Sequence, residues 1–180
     1  MEILIIAAAA FIIIMIIIIA STYTYNNFQN YIIRINEAEA NIDSTLRTRF
    51  DLLNKSVDII KNISEKEDVL LSIVDLRSKK ISNFELDRQL YEGIKEFEKF
   101  KEEYPKLKSN ETFTKIDLAL SETEAEMVAY RKYYNDIITD YNKLVKSFPS
   151  NIIALLFKFK KKVYFDGKNM DDTNVKDFKL

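Results

Sequence analysis

The chain has 180 residues, with 27 Lys and Arg against 28 Asp and Glu, and neither Cys nor His. A formal net charge of -1 makes no case for nucleic-acid binding, which wants a basic face. The missing Cys exclude disulfides, thiolate catalysis and Cys-based metal sites, and the missing His exclude the usual general base, the catalytic triads and the Glu-x-x-His di-iron sites of helical bundles.

Residues 3–20 are an unbroken apolar run of 18, ten of them Ile, with no charge, Pro or Gly. As a helix the run rises about 27 Å, and residues 21–25 extend it enough to cross a hydrocarbon core of ~30 Å. Its Ile, Leu4 and Phe11 contribute at most roughly −4 to −7 kcal/mol to insertion. Lipid forces such a segment to satisfy its own backbone hydrogen bonds, which overrides the modest helix propensity of Ile. A cleaved signal would carry a basic n-region and a small-x-small site. Here Glu2 is the one charged side chain ahead of the run, and Ile18-Ile19-Ala20 lacks that pattern, so the run reads as a retained anchor. Tyr23 and Tyr25 stand where interfacial aromatics belong.

With only two Gly and two Pro, nearly the whole chain can be helical. Over 28–63, apolar residues recur at steps of three and four, from Phe28, Tyr31 and Ile35 through Leu46 and Phe50 to Ile60 and Ile63. The spacing predicts one amphipathic helix continuous with the membrane helix. Ser64 with Glu67 and Ser82 with Glu85 have the capping-box pattern, so helices are expected to start at both, with a break near 79–83. Val69, Leu70, Ile73, Val74 and Ile81 form the stripe of the first. Leu86, Leu90, Ile94, Phe97 and Tyr104 form that of the second, which Pro105 ends. Asn110 is a predicted N-cap. Beyond it Phe113, Leu120, Met127, Tyr134, Tyr141 and Phe148 repeat every seven residues, with Ile116, Thr123, Tyr130, Ile137 and Leu144 at the second seam position, until Pro149. This a/d pattern predicts a long helix packing with a coiled-coil-like crossing. A reversal near 82 gives an antiparallel four-helix bundle; a mere kink there gives a three-helix antiparallel coil. The expected layout is an anchor at 1–25, a bundle at 26–149, a basic-apolar membrane-proximal segment at 150–165 and a disordered tail at 166–180.

The segment after Pro149 interleaves Ile152, Ile153, Leu155, Leu156, Phe157, Phe159, Val163, Tyr164 and Phe165 with Lys158, Lys160, Lys161 and Lys162. In an up-and-down bundle the end of the last helix lies beside the start of the first, which is at the membrane. The expectation is therefore surface contact through Phe157, Phe159 and the four lysines. The plainer alternative is that 152–159 packs on the base of the bundle and the lysines are simply solvated. Lysines close to a membrane favour the cytoplasmic side, which predicts a cytoplasmic bundle.

Several residues carry a resemblance. Tyr25-Asn26, Ile42-Asp43 and Leu46-Arg47-Thr48-Arg49-Phe50-Asp51-Leu52-Leu53-Asn54 resemble the first motif block of the LemA family, and Glu67 and Arg77 fall at its hydrophilic helix positions. Glu103-Tyr104-Pro105-Lys106-Leu107-Lys108-Ser109-Asn110 with Phe113 resembles its E-x-Y-P-x-L-K-A-N-x-x-F block. Glu122-Thr123-Glu124, Tyr130-Arg131-x-Tyr133-Tyr134-Asn135, Tyr141-Asn142 and Phe148-Pro149-x-Asn151 resemble its C-terminal block. The likeness is colinear over about 25–165. It implies an all-α bacterial membrane protein, an N-terminal transmembrane helix followed by an up-and-down four-helix bundle, and it supplies no reaction. Leu53-Asn54-Lys55 lacks the family's Pro, which leaves open any kink the family has there.

Candidate chemistry is sparse. Glu122, Glu124 and Glu126 occupy alternate helical positions that diverge, so they read as a solvated face. Arg49, Arg77 and Arg131 can pair across a bundle with Glu67, Glu103 or Glu124, either as ion pairs flanking the core or as a polar network that fixes register or reads a partner. Tyr133 lies off the seam and is a candidate partner anchor. No phosphate loop, metal spacing or nucleophile motif is present, so no catalytic residue, cofactor or small-molecule substrate is expected. The expected function is non-enzymatic: a single-pass membrane protein of the cell envelope whose bundle is a scaffold or docking module. A two-helix stretch near the membrane is expected to expose an apolar seam to a partner. The alternative is a self-assembling membrane-shaping protein working through the basic-apolar C-terminal segment. The expected partners are membrane lipid and an envelope protein or a second copy of the chain.

Overall fold

The computed structural model describes residues 1–61 and 81–166. These form four α-helices, and no strand occurs among them. Helix α1 (Glu2–Lys61) is 60 residues long, about 90 Å, and carries the apolar run and the first amphipathic stripe without interruption. It passes through Leu53-Asn54-Lys55 as regular helix, as expected where no Pro removes a backbone donor. The predicted stripe over 69–80 and the Ser64–Glu67 cap lie outside the described residues.

Helix α2 (Asn83–Glu103) starts where predicted. Ser82 is extended (φ −69°, ψ 157°), and its hydroxyl accepts a 3.2 Å hydrogen bond from the Glu85 backbone N–H, which satisfies one of the four donors a helix start leaves open. Tyr104, held out of the helical region by Pro105, ends it, and a short 3-10 turn (Pro105–Ser109) buries Leu107 completely. Asn110 then caps helix α3 (Glu111–Lys146), its Oδ1 accepting from the Phe113 N–H at 3.0 Å. Helix α4 (Ser150–Leu156) follows Pro149, whose peptide bond with Phe148 is cis. The sequence pattern had placed a seam position at Phe148; the structure leaves it 81% exposed, because α3 has ended two residues earlier.

The described contacts divide into two compact units. In the unit of 38–133 with 165–166, the core is Ile42, Leu46 and Leu53 of α1, Leu90 and Phe97 of α2, and Phe113, Leu120 and Met127 of α3, all buried. Phe97 stacks on Phe113 with centroids 4.5 Å apart. Each such side chain contributes roughly 1.5–3 kcal/mol by leaving water. Pairings run in opposite order on α2 and α3, with Asp87 on Arg131 and Lys101 on Asp117, so the two are antiparallel. In this unit helix α1 meets α3 through Arg49, which donates to Thr123.

In the unit of 1–37 with 134–164, the core is Phe28 and Ile35 of α1, Tyr134, Ile137, Ile138 and Tyr141 of α3, and Ile153 and Ala154 of α4. Here the expectation of an exposed seam on α1 and α3 is corrected. Phe28, Ile35, Ile137 and Tyr141 are buried, because the C-terminal segment folds onto them and supplies the missing layer. The large apolar residues of the run, Ile3–Ile6 and Phe11–Ile19, are all exposed, and the membrane-length window has none of its residues buried. Among the described residues one helix is thus long and apolar enough to span a bilayer.

Candidate functional site

Two constructed features stand out, one in each unit. The first is a buried charge cluster. Arg49 follows from the α1 stripe at the step between Leu46 and Leu53, and its side chain is fully buried. Its Nη1 donates to Asp87 Oδ1 at 3.2 Å, Nη2 donates to the Thr123 carbonyl at 3.1 Å and to Glu124 Oε2, and Nε donates to Thr123 Oγ1 at 3.2 Å. The Thr123 hydroxyl in turn donates to the Leu120 carbonyl at 2.7 Å. Asp87 also receives Arg131 Nη2, at 2.7 Å on Oδ1 and 2.6 Å on Oδ2. Two guanidiniums and two carboxylates sum to zero, the condition under which charges tolerate burial. Burial pushes the Asp87 carboxyl above its ordinary value, working against the pull of Arg131 and Arg49. The Phe165 ring lies 5.9 Å from the Arg131 guanidinium and meets Phe84 edge-on at 5.8 Å, closing that side of the cluster. The Nε of Arg131 is buried without a hydrogen-bond acceptor among the described residues.

The predicted Arg49–Glu124 pair is therefore present, and Glu124 belongs to the cluster, unlike the exposed Glu122 and Glu126. Arg131 meets Asp87, which the sequence reading missed. The signal was there: Asp87 lies three residues before Leu90 and ten before Phe97, on the buried stripe, and a carboxylate on that stripe calls for a cation opposite. Arg77 and Glu67 lie outside the described residues. Tyr133 is 36% exposed on α3.

The second feature is the C-terminal segment. Helix α4 ends in a Schellman motif: the Phe159 N–H reaches the Ala154 carbonyl at 2.9 Å and the Lys158 N–H the Leu155 carbonyl at 3.3 Å, with Lys158 left-handed at φ 59°. The turn drives Phe159 flat onto Phe28, 4.5 Å between centroids, while Phe157 and Phe159 lie 4.8 and 5.8 Å from Tyr25. The chain then runs back along α3. Asn142, fully buried, clamps it with two hydrogen bonds: its Nδ2 donates to the Lys162 carbonyl at 2.8 Å, and its Oδ1 accepts from the Lys162 N–H at 2.9 Å. Thr139 and Tyr164 share a 3.0 Å hydroxyl contact. Of the residues expected at a membrane surface, Phe159 is engaged in packing, Phe157 is half-exposed, Lys158, Lys160 and Lys161 are exposed, and Lys162 is half-buried. The plainer alternative, packing on the base, thus holds for Phe159 and Ile153.

These helices and motif blocks can be set against known proteins. A family model described as the LemA family matches residues 38–177, most of the chain. The chain belongs to the LemA family. It is also similar to the Magnetosome proteins MamQ 2 and MamQ 1 of Paramagnetospirillum magneticum (strain ATCC 700264 / AMB-1), each 31% identical over 74 residues. That match covers 41% of this chain and 27% of each relative, so the likeness spans about a quarter of their length. Among the described residues of this LemA chain, no group of three or more acidic side chains is arranged to hold a metal ion.

Proposed function

We propose that this LemA-family chain is a non-enzymatic, single-pass membrane protein whose bundle is a docking module for other proteins of the cell envelope. The observation that carries this reading is the closure of the Arg49–Asp87–Arg131–Glu124 cluster. The most concentrated charge in the described residues is turned inward and neutralised, which suits a rigid, register-fixing core better than a reaction centre. Function then falls to the helix surfaces. On α2 and α3 an open groove of about 560 Å³ has Phe97 and Leu120 at its apolar side, Lys101 and Asp117 at its rim, and Leu118 63% exposed beside them. The occupant that fits is a partner helix with an apolar stripe and mixed flanking charge. The lysines after α4 stand close in the fold to the end of the apolar run, which supports a cytoplasmic bundle.

The test is in-cell photocrosslinking from Tyr133 and Leu118 in the full chain, read by mass spectrometry. One envelope protein captured from both positions, and lost when Leu118 is replaced by Glu, is the expected result. Lipid adducts alone refute the reading. Adducts with a second copy alone transfer support to the alternative, a self-assembling membrane-shaping protein, which the lysines of the C-terminal segment favour. Reversing Lys158 and Lys160 separates the two: partner capture survives in the first and function is lost in the second.

A further inference from the structure

Helix α4 has two apolar faces, and only one is accounted for by packing. Ile153 and Ala154 point into the core of their unit. Ile152, Leu155 and Leu156 of the helix point out, as does Phe148 just ahead of it; Phe148 and Leu155 are each 81% exposed. Phe157 beside them is half-exposed. A water-facing surface of five large apolar side chains on so short a stretch calls for an occupant.

Three observations identify that occupant. The Phe157 ring lies 4.8 Å from Tyr25, which is five residues, about 7.5 Å along the helix axis, beyond the last residue of the apolar run. The outward face of α4 is thus continuous with the end of a helix whose own side chains are exposed all round over membrane length. Next, residues 141–165 hold six Lys and no Asp or Glu, in a chain whose charges otherwise balance. Finally, Lys158 and Lys160 are exposed beside that face.

We propose that α4 is an interfacial seat: Ile152, Leu155 and Leu156 of the helix, with Phe148 just ahead of it, enter the headgroup–acyl boundary of an anionic leaflet beside α1, with Lys158 and Lys160 on the headgroup phosphates. The bundle is then attached at two points, the spanning helix and the seat, with the Tyr25–Phe157–Phe159 cluster as the joint between them. A single helix leaves an attached domain free to swing about its axis; a second attachment restrains that swing. The inference is independent of the docking reading, which concerns α2 and α3.

The chain has no Cys, so one introduced thiol labels one site. Full-length Leu155→Cys and, as a reference, Leu118→Cys carry an environment-sensitive fluorophore in vesicles of equal phosphatidylcholine and phosphatidylglycerol, and of phosphatidylcholine alone. The expected result is that the label at 155 is quenched by lipid-borne shallow quenchers and shielded from aqueous iodide, whereas the label at 118 is open to iodide. Replacing Lys158 and Lys160 by Gln weakens seating in the anionic vesicles about fivefold per lysine, and far less in phosphatidylcholine. Unchanged circular dichroism of each variant shows that the fold is kept. Free access of iodide to position 155 in anionic vesicles overturns the proposal. So does shielding that rises with protein density in the vesicle, because the face is then covered by a second copy.

Discussion

Replacing Arg49 by Met tests whether the inward-turned cluster holds the bundle in register. Met has nearly the length of the Arg stem and no charge, so packing is preserved while four hydrogen bonds are lost. Glu124 is partly exposed and regains water at little cost. Asp87 is buried, loses Arg49 and keeps only Arg131. Breaking a buried pair on one side costs about 3–5 kcal/mol, and Glu124's access to water places Arg49→Met near the lower end, about 3 kcal/mol. Asp87→Asn leaves two guanidiniums facing an amide but also removes a charge that burial penalises, so it costs less than Arg49→Met. In the double variant Arg131 and Glu124 remain as one balanced set, so its cost falls short of the sum by at least about 1 kcal/mol. The assay is urea unfolding of the full chain in mild detergent, followed by far-ultraviolet circular dichroism; the apolar run stays helical in the micelle and the bundle supplies the transition. Additivity to within about 0.5 kcal/mol, or an Arg49→Met cost below about 1 kcal/mol, would refute the claim that these charges act as one structural unit.

Asp87 also gives a pH signature. Its folded pKa lies above the ordinary 3.8, so the folded state holds that proton more tightly than the unfolded chain. Wild-type stability relative to Asp87→Asn therefore rises as pH falls through the raised pKa and levels off below about 3.8; a difference that shrinks on acidification, measured by urea midpoints, contradicts the sign. Asn142→Ala removes both clamp bonds on Lys162, worth about 1 kcal/mol each, and should speed amide exchange over 159–164 by roughly 30-fold while leaving α2 unaffected. Lys158→Gly relieves the left-handed backbone and should stabilise the segment by about 0.5–1 kcal/mol in detergent, whereas Lys158→Ala should not. Ser82→Ala should cost about 1 kcal/mol and Ser82→Gly only a few tenths, read as a shift of the urea midpoint.

Much of the architecture is local information, which is why the sequence alone carries it. An apolar run of 18 residues is a statement about solvent, the three-and-four spacing from Phe28 onward a statement about which face is dry, and Ser82, Tyr104-Pro105 and Asn110 are backbone signals that act within one turn of where they stand. The heptad of α3 identifies most of its buried residues from Phe113 to Tyr141 for the same reason; it misses the buried Ile138, leaves Tyr130 half-buried, and misplaces Phe148 because the periodicity takes no account of where the helix stops.

What only the tertiary structure decided are pairings between residues far apart in the chain. Arg49 could have met several glutamates; its partners at positions 87 and 124 follow from how α1, α2 and α3 align, and Asp87 becomes a buried acid only once two guanidiniums are brought to it. The same is true of the C-terminal segment. Its composition marks it for lipid, yet a composition shared by all its side chains cannot say which face points where. The Schellman turn at Lys158 and the Asn142 clamp divide it, committing Ile153 and Phe159 to the core and leaving Phe148, Leu155 and Leu156 to whatever lies beyond. Periodicity is set by bonds along the chain and can be read from one segment; a side chain's partner is set by the meeting of two segments and exists only when both are in place.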